Sequence, residues 1–315
     1  MTEDMPNHLG RIIRKLGVED IVALLSERIN GADLNTLLLE VFREKTDKQS
    51  ASDLLKGYAD NRFVHPADVD PIQLKQLELD VLNMARNHAA TPIQLSPVAP
   101  LGSCSIIAKV DQRKVISATR GTEVVADATN LLALHICHLI QTNSRRARSD
   151  LIRLSTTHRH VRAQYFGNAH GMRPHFHLFC MVTAGVDQGS YHFEKQSFWE
   201  HIHVYLDIFR MLFGTEIEVV VSRRAGYKDS AGLLQSIIEY GEAHAMKIAI
   251  KEADEENGYY KGLQFTIKAK LNGQEHAIGD GGYVDWSQKL LGNKKERMLI
   301  SAIGLERLLL FSAGG

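Results

Sequence analysis

The sequence predicts an α+β fold in which a mostly antiparallel sheet is flanked by helices and preceded by a small helical N-terminal region. Three observations carry this expectation. Apolar residues recur at helical spacing up to about residue 89, and the period changes to two from about residue 92. Beyond that point strands come in series, with helices interspersed and few strict strand–helix–strand units. The 315 residues, 44% of them hydrophobic, suffice for one large core or one core plus a small appendage. The expected organisation is a helical N-terminal region over 1–69 and a single core over 70–315.

The N-terminal helices follow from Leu9, Ile12, Ile13 and Leu16, then Ile21, Leu24, Leu25 and Ile29, then Leu34, Leu37, Leu38, Val41 and Phe42. The polar stretch over 44–52 interrupts them. Asp70 before Pro71 starts the next helix, because a capping carboxylate precedes a residue whose missing N–H costs nothing in the first turn. That helix runs to about Ala89. The stretches 93–100, 103–110 and 114–120 read as strands, with Asp111 to Arg113 as a turn. A helix is expected at about 126–142, two strands over 151–164 and 175–185, and a long amphipathic helix carrying Trp199, Ile202, Leu206, Phe209 and Phe213. The strand 217–222, a helix around Leu233 to Ala245, and strands over 247–253 and 263–271 come next. The segment 297–311 is a strand running directly into an apolar helix.

Lys plus Arg and Asp plus Glu both number 37, so no global positive charge draws this chain to nucleic acid or to an acidic membrane. Scattered N-terminal cations such as Arg11, Arg14 and Lys15 are all that a nucleic-acid reading has. Cys104, Cys137 and Cys180 are widely spaced in apolar surroundings, which suits reduced packing thiols in a cytoplasmic protein. No stretch approaches eighteen uninterrupted apolar residues. Among the 15 histidines, His175 and His177 are two apart on a strand and share a face, whereas His201 and His203, two apart on a helix, splay apart. Packed or surface histidines are therefore expected rather than zinc ligands.

The most specific chemical signal is Ser301 to Phe311. Gly304 at a strand-to-helix junction lets backbone approach a ligand, and Arg307 one turn on offers a planar charged fork for a triphosphate. Read blandly, it is an amphipathic helix whose Glu306 and Arg307 face water. The segment resembles motif 3 of the class II aminoacyl-tRNA synthetases. Val161-Arg162-Ala163-Gln164, a loop, and His175 to Phe179 resemble motif 2, in which Arg162 and Gln164 share one strand face and His175 and Phe179 share one face of the partner. A competing register uses Arg159 and Phe176. The helix from Pro71 with the strand ending at Pro97 resembles motif 1, which implies a homodimer. Thr119-Arg120-Gly121-Thr122-Glu123 is similar to segments that hold an amino-acid ammonium, although a Thr-Glu pair also serves as a plain helix cap. Gly258 to Phe265 and Gly279 to Tyr283 look like segments of the histidyl-tRNA synthetase group, which includes the regulatory subunit of ATP phosphoribosyltransferase.

The resemblance covers roughly 70–315. It implies an α+β class II core that binds ATP and Mg²⁺ and activates an amino acid or related carboxylic acid as acyl-adenylate, for transfer to a protein, carrier, small amine or tRNA. Arg162 and Arg307 are the implied catalytic residues. The implied ATP set is Arg162, Gln164, His175, Phe179, Gly304, Glu306 and Arg307, with Phe179 stacked on adenine. Arg120, Thr122, Glu123, Tyr259, Tyr260 and Gly281 form the implied substrate set. Gln164 stands where the family has Glu, Glu255 near its histidine-specific Arg, and Thr266 in place of a metal-binding acid, which leaves Asp280, Asp285 or Glu306 for Mg²⁺. With the chain ending just past motif 3, a stand-alone paralogue is expected rather than a complete synthetase. A non-catalytic, regulatory paralogue is the alternative.

Overall fold

The computed structural model describes residues 5–142, 150–164, 173–244, 248–251 and 258–312, with side chains from residue 8 onward. Helices α1 (Met5–Leu16), α2 (Ile21–Ala23), α3 (Gly31–Thr46) and α4 (Ala51–Asp60) form the N-terminal region. Helices α3 and α4 each start where a side chain takes up a free backbone amide. Asn30 accepts from the Asp33 N–H, and Ser50 and Asp53 form a reciprocal capping box. None of α2, α3 or α4 buries a residue fully. Helix α5 (Pro71–Asn87) begins as its sequence predicts, with the Asp70 carboxylate accepting from the Ile72 and Gln73 amides, and buries Leu74, Leu77, Val81 and Ala85 along one face.

Strand β1 (Thr91–Pro92) follows α5, and β2 (Val98–Pro100), β3 (Ser117–Ala118) and β4 (Thr122–Val124) make a small antiparallel sheet in the order β2-β4-β3. The strand expected over 103–110 is instead a helical turn over Ser103–Ile107. Gly102 turns the chain at φ +92, and the Gly102 and Cys104 amides are satisfied by the Glu123 carboxylate rather than by a neighbouring strand. Helix α6 (Ala128–Thr142) leads to β5 (Ile152–Val161), β6 (His175–Val186), α7 (His192–Phe213), β7 (Ile217–Arg223), α8 (Ser230–Ala243) and β8 (Ala249–Lys251). The chain closes with β9 (Lys261–Leu271), β10 (Gln274–Val284), α9 (Trp286–Leu291), β11 (Glu296–Gly304) and α10 (Leu305–Ser312).

The main sheet runs β1-β5-β6-β11-β10-β9-β7-β8, antiparallel except where β1 joins β5 and β8 joins β7. One face packs on α5, α7, α8 and α10 through Phe179, Phe193, Phe198, Tyr205, Phe209 and Phe265, all fully buried. On the other face α6 and α9 cover one end, over Cys180, Val182, Ala184, Met298, Ile300 and Trp286. The rest of that second face carries no helix and opens into a cavity. No helix among the described residues is long and apolar enough to cross a membrane.

Candidate functional site

The cavity, about 790 Å³, sits on the even-numbered face of β5 and β6 beyond the end of α6. Strand pairing decides which side chains reach it. In an antiparallel pair, residues directly opposite one another share a face. His160 pairs with Phe176 and Val161 with His175, while the Arg162 amide donates to the Pro174 carbonyl at 2.8 Å. Arg162 therefore shares its face with Phe176, and its guanidinium carbon lies 5.2 Å from that ring's centroid. Its Nε donates to the Ala126 carbonyl at 2.9 Å, and its Nη2 lies 3.9 Å from Asp127.

Phe179 pairs with Thr157 on the opposite face, fully buried and edge-on to Tyr205 at 6.3 Å. The structure thus puts Phe179 in the core and Phe176 in the cavity wall, joining Arg162 of one expected register to Phe176 of the other. His175 is also on the core face. It accepts from Arg159 Nη1 at 2.8 Å through Nδ1 and donates to the His65 carbonyl at 2.7 Å through Nε2. His177, its strand-face partner, lies 3.6 Å from Glu78 and 3.9 Å from Glu306, and burial holds its pKa down to about 4.

At the sheet-to-helix junction of β11 and α10, Gly304, Glu306 and Arg307 all line the cavity. A Cβ on Gly304 would meet nothing closer than 3.6 Å, so backbone room does not itself demand glycine. Glu306 turns inward to Arg159 at 2.9 Å, and burial raises its pKa. Arg307 is exposed at the rim, 5.3 Å over the Phe311 ring. Gln164 lines the same mouth, as do Lys114 and Arg173, which no local pattern in the sequence marks.

The wall opposite is built by Tyr259 and Tyr260, ring centroids 4.8 Å apart, with Asp127, Asp280, Gln264 and Thr266. Asp127 caps the first turn of α6: Oδ1 accepts from the Thr129 amide at 2.9 Å and hydroxyl at 2.7 Å, and Oδ2 from the Tyr259 hydroxyl at 3.2 Å. Asp280 lies directly across from Thr266 in the β9–β10 register.

The remaining expected residues lie away from the cavity wall. Arg120 is an exposed turn residue at φ +64, its amide donating to Asn35. Thr122 and Glu123 belong to β4, not to a helix start, and Thr122 Oγ1 donates to the Thr119 carbonyl. Glu123, 1% exposed, accepts from the Gly102 and Cys104 amides and from Gln112 Nε2 at 2.8, 3.0 and 2.9 Å, so its carboxylate is occupied by the protein itself. Gly281 is a sheet residue whose added Cβ would strike Phe265 and come within 2.6 Å of the Ile300 carbonyl. Asp285 pairs with Lys289 at 2.7 Å outside the cavity. Asp280 and Glu306 remain cavity acids, but no group of three potential metal ligands converges among the described residues. Glu255 lies outside the described residues.

Segments from before residue 70 reach this site. Arg62 donates to the Ala163 and Gln164 carbonyls at 2.6 and 3.3 Å, and Asp68 forms a bidentate ion pair with Arg173 at 2.7–2.9 Å.

No protein-family model matches the sequence, and no curated protein matches it at sequence level. Solved structures do match the fold. Histidyl-tRNA synthetase of S. aureus aligns at TM-score 0.56 and 12% identity over 77% of this chain and 67% of its own. An ATP phosphoribosyltransferase regulatory subunit/histidyl-tRNA synthetase of Bacillus halodurans aligns at 0.59 and 11%, over 80% and 82%. The RNA binding domain of threonyl-tRNA synthetase of Cryptosporidium parvum aligns at 0.62 and 11%, over 76% and 64%. A sheet of this topology, flanked by helices in this order, is the class II aminoacyl-tRNA synthetase-like fold.

Proposed function

We propose that the cavity binds ATP and a carboxylic acid and joins them as an acyl-adenylate. The observation that carries this reading is Arg162, held by the Ala126 carbonyl and set over the Phe176 ring, in one 790 Å³ cavity with Arg307 at the rim. An aromatic wall beside fixed guanidinium groups suits a base joined to phosphates. A carboxylate oxygen attacks the α-phosphorus, and the bond from that phosphorus to the β-bridging oxygen breaks. Pyrophosphate leaves with the electron pair. Arg162 stabilises the charge that develops on the α-phosphate, while the cavity walls align the two reactants. Arg307 and Lys114 at the mouth supply positive charge for the departing pyrophosphate. Mg²⁺, in this reading, enters on the nucleotide's own oxygens.

Pyrophosphate exchange into ATP, measured across the amino acids alongside direct ATP binding, tests the reading. Exchange with one or a few acids is the expected result. An absence of exchange together with an absence of ATP binding would refute it.

A further inference from the structure

Two aspartates, Asp127 and Asp280, stand in the wall of the cavity opposite Phe176. Glu123, the expected ammonium receptor, is occupied by two backbone amides and Gln112 and does not line the cavity. Asp127 and Asp280 do line it. Asp127 has Arg162 at 3.9 Å as its cation. Asp280 has only neutral hydrogen-bond donors, Gln264 Nε2 at 3.4 Å and the Tyr260 hydroxyl, and among the described residues no Lys, Arg or His lies within ion-pair distance of it. Burial and the nearby Asp127 charge push its pKa upward, against the smaller opposing pull of the Tyr260 hydroxyl and of Arg162.

Two donors leave part of a carboxylate's acceptor capacity unused, and an amide and a phenol beside it complement an ammonium guest. A divalent metal would need several converging oxygens, and three such ligands do not converge among the described residues. Once the α-phosphate takes Arg162, two aspartates face the cavity with no protein cation between them. The ammonium of an ordinary α-amino acid neutralises one. Beside Asp127, the side chains of Cys104, Val110, Val115 and Ala126 form a small apolar stretch of the same cavity, suited to a run of methylenes.

Building on the adenylate-forming reading above, we propose that the cavity selects α-amino acids with a cationic side chain, whose two positive groups are held by Asp127 and Asp280. The specificity lies in the pair, because either carboxylate alone would accept any amino acid.

The test compares L-lysine, L-ornithine and L-arginine with L-norleucine and L-histidine on the full chain. Direct binding is read by calorimetry with and without a non-hydrolysable ATP analogue, and pyrophosphate exchange is read in parallel. At least one basic acid is expected to bind roughly 10–100-fold more tightly than norleucine, the advantage of one added charge-assisted contact. Asp280→Asn should remove that preference while ATP-analogue binding persists. Norleucine deletes the same contact from the ligand side, so a poorly folding variant leaves the comparison intact. Equal binding of norleucine and the basic acids, or a preference that survives Asp280→Asn, would overturn the proposal while leaving adenylate formation standing. Exchange with a neutral acid alone would do the same. If neither ATP analogue nor any acid binds, both readings fall together.

Discussion

Phe176 and Phe179 lie three residues apart on one strand, and the structure gives them opposite jobs. Phe179 is fully buried beneath α7, edge-on to Tyr205, so Phe179→Ala removes a core ring and leaves a cavity. Such truncations cost about 3–5 kcal/mol. With an unfolding entropy of roughly 2.1 cal/mol/K per residue over 315 residues, each kcal/mol shifts Tm by about 1.5 °C, which gives a drop of roughly 5–8 °C. Phe176 stacks on His160 at 5.9 Å and under Arg162 in the cavity wall, so Phe176→Ala should lose only about 1 kcal/mol of stability. It should instead weaken ATP binding by about tenfold, the loss of one aromatic stack. Differential scanning fluorimetry with a nucleotide titration on both variants reads the two effects separately. If Phe179→Ala abolishes nucleotide binding at an unchanged Tm, or if Phe176→Ala destabilises as strongly as Phe179→Ala, the strand parity described above is wrong.

Arg307→Ala should lower pyrophosphate exchange by roughly 10²–10³ with little change in Tm, since the side chain is exposed at the rim; an unaffected rate would remove it from the site. Gly281→Ala should destabilise by about 1–3 kcal/mol without selectively affecting ligand affinity, because the new methyl meets Phe265 and the Ile300 carbonyl inside the sheet, and denaturant unfolding measures it. His201 donates or accepts at Thr183 and Ser301, and burial together with the Arg153 charge holds its pKa down to about 3 against an ordinary 6.5. The unfolded chain thus binds the proton first as pH falls, so this histidine's contribution to stability is complete above about 6.5 and is lost progressively towards about 3. Relative to His201→Gln, the wild-type advantage in Tm should narrow over that window, and a constant difference would contradict the assignment.

Much of the fold was legible in the sequence because local rules there agree with tertiary packing. Asp70-Pro71 marks a helix start and caps one, and Ser301 to Phe311 reads as strand into helix and folds so. Strand β10 was not legible, because Gly279, Gly281 and Gly282 look like loop residues. In the sheet they are positions where neighbouring backbone and rings leave no space for a Cβ. The turn over Ser103–Ile107 was misread as a strand because its deciding partner, the Glu123 carboxylate, lies some twenty residues away. The choice between Phe176 and Phe179 is hidden for a related reason. Alternation within each strand was correctly read, but which parity on β5 meets which on β6 depends on the connection over 165–172, and a one-residue change there exchanges the faces. Asp127 had a weak signal as a capping acid before α6, and nothing local distinguishes Asp280 from a turn aspartate.

The contacts of Arg62 and Asp68 bear on how such a chain can be shortened or recombined. Residue 69 looks like a natural place to cut, since helix α5 starts afresh after it and the helices before it bury little. A chain starting at residue 70 would nonetheless strand Arg173 and two carbonyls at the cavity mouth. It would also leave His175 without the His65 carbonyl. Grafting a different N-terminal module onto this core would therefore require substitutes for these contacts, and two pieces that look separable in sequence would be inherited together.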